Sequence, residues 1–185
     1  MNKQEILSFI LNNLNSNKNE LINHWNKLNP IPTRYFYIDN LLPIDTAYQL
    51  YNDFVSSDIE WNKQSSFRES KCNYAKVDIL NNLIPLITDL FQDVKIIQAI
   101  EEITKIKSLD ADPNLYAGGI SMMNKNDFLN PHIDNSHDTL RKRYRRLNLL
   151  YYVTPDWEIC NGGNLLLWDK KVLNNIKILS KFNRL

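Results

Sequence analysis

His132 and Asp134, one residue apart in the run DFLNPHID (127–134), are the side chains of this sequence best placed to do chemistry. On a strand over 128–134, residues two apart point the same way, so the imidazole and the carboxylate would share one face. A nitrogen and an oxygen donor side by side are two members of the two-histidine, one-carboxylate set that holds non-haem iron(II). One such pair says little by itself, and its surroundings carry the weight.

Downstream lies RRLNLLYYV (145–153), a strand-like run rich in apolar and aromatic residues. It ends at Thr154-Pro155-Asp156-Trp157, where Pro155 cannot donate to a ladder. Asn161-Gly162-Gly163 then turns the chain into a second short strand, NLLLW (164–168). In the first run Asn148 and Tyr152 stand four apart, so both would face the same side. Between His132 and this strand, RKRYRR (141–146) holds five positive charges in six residues. It reads either as a solvated loop or as a loop over the site that steers an anionic substrate.

These strands need a body to rest on, and the upstream pattern is helical. Ile6, Leu7, Ile10, Leu11 and Leu14 recur at helical spacing, and a second helix is expected over 18–28 with Leu21, Ile22 and Trp25 inward. His24 falls in that helix and reads as a polar, partly buried helix residue rather than a ligand. Pro30 and Pro32 break the pattern. A strand is expected over 34–38, then a helix over 46–55 capped by Asp45, with Ala47, Leu50, Tyr51 and Phe54 buried. Another strand is expected over 61–67. Helical spacing returns over 78–106, where Pro85 starts or kinks a helix.

The chain has 185 residues and a net charge of +1, which suits one domain with a real core and gives no bulk attraction to nucleic acid or anionic membrane. Neither a signal peptide nor a membrane span of ~20 apolar residues is visible. Cys72 and Cys160 match no metal-finger spacing and suit a reducing, cytoplasmic setting. No internal repeat appears.

The order His-x-Asp, basic loop, R-x-x-N-x-x-x-Y strand, Asp-Trp and G-G-x-L-x-L-W resembles the iron-binding half of the 2-oxoglutarate- and iron(II)-dependent dioxygenases, in their prolyl-hydroxylase-like branch. The segment 112–119 (DPNLYAGG), entering a first barrel strand after a backing helix, is similar too, so the likeness runs from about residue 78 and more loosely from residue 34. It implies an α+β fold, a double-stranded β-helix (jelly roll) with helices packed on one face. It divides the chain into an N-terminal helical segment, 1–33, and a dioxygenase domain, 34–185. The implied metal ligands are His132 and Asp134. Tyr152 matches a tyrosine that helps hold 2-oxoglutarate, Asn148 would face the barrel interior, and Leu165 matches an apolar wall beside the co-substrate. Packing alone also accounts for Tyr152, Leu165 and Leu167, while Trp157 and Trp168 look structural. The implied reaction hydroxylates a peptidyl proline or a small molecule while 2-oxoglutarate is decarboxylated to succinate.

The resemblance also implies a distal His on a later strand and an Arg or Lys for the far carboxylate of 2-oxoglutarate. No residue here matches either. His137, in the loop after the pair, is the only other histidine nearby, and the family takes its third ligand from across the barrel. The expectation is therefore a C-terminally incomplete member lacking its last strands, which by itself binds iron poorly and turns over little. The alternative is an inactive jelly-roll protein with a binding or scaffolding role.

Overall fold

The computed structural model describes residues 1–112, 115, 118–138 and 140–185. Among these residues five α-helices form the body: α1 (Lys3–Ser16), α2 (Lys18–Asn26), α3 (Ile44–Ser56), α4 (Leu83–Leu90) and α5 (Val94–Thr104). Their ends follow from local chemistry. Asn2 and Glu5 form a reciprocal capping box at α1. The Asn82 carboxamide accepts from Ile84 N–H at 2.9 Å, and the Asp93 carboxylate accepts from Lys95 N–H at 2.8 Å. The helical pattern over 78–106 is therefore divided, with Asp93 opening a new helix. Pro85 sits in the first turn of α4, where its missing N–H has no helical partner to lose. Asp45 does not cap α3: Pro43 occupies that position and Asp45 lies in the first turn, where a carboxylate still suits the helix dipole.

The inward faces merge into one apolar core. Ile6, Ile10 and Leu14 of α1 meet Ile84 and Leu90 of α4 and Ile96 and Ile103 of α5, all nearly solvent-free. Lys18 reaches from α2 to Glu102 of α5 at 2.6 Å. The first 33 residues thus share a core with the helices of the later chain.

The strands are short and antiparallel. β1 (Asn62–Ser65) pairs with β2 (Glu69–Tyr74), and the other edge of β2 takes first β3 (Ile120–Met122) and then β4 (Phe128–Leu129). β5 (Leu165–Trp168) pairs with β6 (Asn175–Ile178) in a separate two-stranded sheet. Among the described residues these are one four-stranded and one two-stranded sheet, so the class is α+β with helices and antiparallel sheets. No helix among them is long and apolar enough to cross a membrane.

Two expected strands are not strands. Residues 34–38 and 145–153 have strand-like side chains, but their backbone pairing is confined to their ends, at Ile38 in the first and at Arg145 and Tyr152 in the second. Asp39 and Tyr152 both bridge to Arg184, and the interior of each run forms no ladder. Segments distant in sequence, around residues 38, 152 and 184, are thereby brought side by side.

Candidate metal site

The pair His132–Asp134 is delivered by the edge of β2. Between β3 and β4 the chain loops through 123–127, and Asp127 pins that loop. Its Oδ1 accepts from Ser70 Oγ at 2.5 Å and its Oδ2 from Asn124 N–H at 2.7 Å. These bonds, Ser70 foremost, hold the Asp127 carboxyl below its ordinary value. After β4, Asn130 clamps onto the β1–β2 turn. Its N–H donates to the Arg68 carbonyl at 2.8 Å, and its Nδ2–H to the Phe67 carbonyl at 2.7 Å. The strand expected over 128–134 stops here because its partner backbone turns away through residues 66–68 into β1. His132 and Asp134 therefore lie just beyond a strand.

They nonetheless face each other, with His132 Nε2 at 3.2 Å from Asp134 Oδ1. His132 Nδ1 lies 2.7 Å from the Asn130 carbonyl oxygen. A carbonyl only accepts, so Nδ1 carries a proton and donates, while Nε2 is the nitrogen that faces Asp134. Asp134 Oδ2 in turn accepts from Asn148 Nδ2 at 2.5 Å, and Asn148 Oδ1 accepts from Arg145 Nε at 2.5 Å. Both side chains of the pair are thus held from behind, as metal-binding histidines and carboxylates generally are.

The donor set fits a divalent ion in part. Metal–ligand bonds of about 2.1 Å at right angles separate neighbouring donors by roughly 3.0 Å. The observed 3.2 Å suits two donors on one octahedral ion. No group of three His, Cys, Asp or Glu converges among the described residues, so the pair is a two-donor arrangement. His137 is occupied elsewhere: its Nδ1 lies 2.8 Å from Ser136 Oγ, and its ring packs on Tyr144 at 4.4 Å between centroids.

The basic run belongs to a hairpin spanning 136–145. Arg145 N–H donates to the Ser136 carbonyl at 2.9 Å and Asp138 N–H to the Arg143 carbonyl at 3.0 Å. The Asp138 carboxylate accepts from Lys142 N–H at 2.7 Å. Arg141, Lys142, Arg143 and Arg146 are exposed. The hairpin begins two residues after Asp134 and returns to it through Arg145 and Asn148.

Of the other residues singled out in the sequence, Asn148 is brought to the pair. Tyr152 lies in the bridge to Arg184, its N–H donating to the Arg184 carbonyl at 3.0 Å. Burial pushes its phenol above the ordinary range, against the pull of the Arg184 charge. Leu165 is half-buried in β5 opposite Ile178. Trp157 donates from Nε1 to the Gly162 carbonyl at 2.9 Å, closing the turn before β5. Segment 112–119 falls partly outside the described residues. Asn130 carries no signal in the sequence, because it acts through its backbone carbonyl; Arg145 opens the R-x-x-N-x-x-x-Y pattern, but the carboxamide it meets is not named by that pattern.

Residues 118–185 match the family model described as the 2OG-Fe(II) oxygenase superfamily. The match supports that superfamily, and with it an oxygenase function in general, for the part of the chain carrying the His-x-Asp pair. The superfamily implies iron(II) as cofactor and 2-oxoglutarate as co-substrate. No curated protein and no solved structure matches the chain.

Proposed function

We propose that this chain is an iron(II)- and 2-oxoglutarate-dependent dioxygenase of the prolyl-hydroxylase-like branch, built on a double-stranded β-helix and holding iron through His132 and Asp134. The observation that carries the reading is the facing pair itself, with Nε2 and Oδ1 3.2 Å apart. The other nitrogen of the ring is fixed on a backbone carbonyl. When bound, iron with 2-oxoglutarate supplies the oxidation of a substrate C–H bond, coupled to decarboxylation of the co-substrate to succinate.

The chain's own residues orient and enclose. Asn130 fixes the His132 tautomer, and Asn148 holds the far oxygen of Asp134. Tyr152 and Leu165 are assigned to the co-substrate side. The prime substrate is a peptidyl proline or a small molecule. The exposed cations of the 136–145 hairpin, tied to the pair through Arg145, favour one that carries negative charge. Two unpaired cysteines, Cys72 and Cys160, suit the cytoplasm.

A second reading, a catalytically inert protein with a binding or scaffolding role, is favoured by one observation: only two donors converge among the described residues. Two ligands hold a divalent ion less firmly than three. Anaerobic titration with iron(II) in excess 2-oxoglutarate tests the first reading. A visible metal-to-ligand charge-transfer band is expected that vanishes in His132→Ala and in Asp134→Ala; a band that persists in both removes the assignment. With the band present, succinate formation under air separates the two readings. Formation well above background would overturn the inert reading, and background formation would favour it over the first.

A further inference from the structure

We infer that Asn148 is a positioning residue for the Asp134 carboxylate, and that Arg145 sets the direction of its amide. The inference rests on the metal-site reading and adds a device the His-x-Asp motif does not contain. A carboxamide can face a carboxylate with either end, and only the NH2 end is attractive. Here the choice is made from the other side. Arg145 Nε can only donate, and at 2.5 Å it holds Asn148 Oδ1. That turns Nδ2 toward Asp134 Oδ2, also at 2.5 Å. With Oδ2 engaged, Oδ1 is left on the side of His132 Nε2.

The three residues are 14 and 3 positions apart, across the turn of the basic hairpin. The Ser136–Arg145 backbone bond closes that hairpin at its base, so Arg145 and Asp134 are brought near each other by the same element. Asn148 and the Asp134 side chain are both accessible. Without the relay the carboxylate would be free to rotate about its two side-chain torsions. Two donors restrain an ion less than a complete cage does, so the loss is felt more here. Hydrogen bonds behind a metal ligand commonly change metal affinity by about 10- to 100-fold.

The test is a cobalt(II) titration of the full chain, read by visible absorption, alongside the thermal midpoint of the metal-free protein. Asn148→Ala is expected to weaken cobalt(II) binding by about 10-fold or more, with the metal-free midpoint unchanged. Arg145→Met should show part of that loss, because the amide is then free to flip. Arg145→Lys, which also only donates, should restore it. A merely structural role would instead lower the midpoint and would not be rescued by lysine. Wild-type binding that requires His132 and Asp134 but is unaffected by Asn148→Ala overturns this inference alone. Absence of any such binding in the wild type overturns the metal-site reading and this inference with it.

Discussion

The carboxamide of Asn183 closes a two-bond ring on the backbone of Leu42, 141 residues away in sequence. Leu42 N–H donates to Oδ1 at 2.9 Å, and Nδ2–H donates to the Leu42 carbonyl at 2.8 Å. The Tyr151 hydroxyl also donates to Oδ1, at 2.8 Å. Asn183 is 1% exposed and sits at φ +58°, a conformation asparagine tolerates better than most residues. One side chain thus joins the helical body, the segment before Tyr152 and residues 183–185. Asn183→Ala leaves the buried N–H and carbonyl of Leu42 and the half-buried Tyr151 hydroxyl without this partner and is expected to cost about 2–4 kcal/mol in urea unfolding. A change below about 0.5 kcal/mol would show that these bonds are made as well by water.

Arg184 forms a fork on Asp39, with Nε to Oδ1 at 2.6 Å and Nη2 to Oδ2 at 3.0 Å. Its guanidinium also lies 4.1 Å from the centroid of the Tyr37 ring. The Arg184 contact, ahead of that from Lys181, holds the Asp39 carboxyl below its ordinary value. In that situation the unfolded chain takes up the proton first as pH falls. The stabilisation is therefore complete above the unfolded carboxylate range, about pH 4, and is lost as pH drops through the depressed folded value. Asp39 is only half-buried, so solvent screening limits the effect to about 1 kcal/mol. Asp39→Asn should lower stability at pH 7 by that amount and flatten the acid limb of a stability–pH curve. An unchanged limb would place the acid sensitivity elsewhere.

Gly119 precedes β3 at φ +94°, and an added Cβ would stand 2.5 Å from the Tyr74 carbonyl oxygen. Both the backbone conformation and the space require glycine here. Gly119→Ala should destabilise by roughly 1–3 kcal/mol and loosen the β2–β3 ladder, seen as faster amide exchange at Ile120. Gly118→Ala is the control: its nearest neighbour is the flexible end of the Leu115 side chain at 3.3 Å. A change within about 0.5 kcal/mol is expected there. Equal effects at both positions would contradict the assigned geometry.

A divalent ion that binds the folded chain alone must stabilise it. At ten times its Kd, cobalt(II) should add about 1.4 kcal/mol to the unfolding free energy. Chelation with EDTA should reverse the gain, and His132→Ala should show none. A gain that survives His132→Ala would mean the ion binds elsewhere.

The helices are largely legible in the sequence because their information is local. The spacing of Ile6, Leu7, Ile10 and Leu14 defines a buried stripe wherever the helix comes to lie. The strand at Leu165–Trp168 is legible from its turn and apolar run. So is His132-x-Asp134, where adjacency in sequence keeps the two side chains within reach of each other. A strand over the whole of 128–134 overstates the ladder, because its partner β2 begins at Glu69 and the chain before it turns away into β1.

Residues 34–38 and 145–153 fail for a different reason. Their side chains suit a strand, but a strand exists only where another backbone lies beside it, and the alignment of Asp39, Tyr152 and Arg184 is decided by packing. Tertiary structure alone likewise decided that Asn148 donates to Asp134, that Asn130 fixes the imidazole and that Asn183 ties onto Leu42. A carboxamide or a carbonyl can bond almost any polar partner, so residue type cannot name the one it meets. Sequence determined which groups are available for chemistry near His132; the folded chain determined what holds them in place.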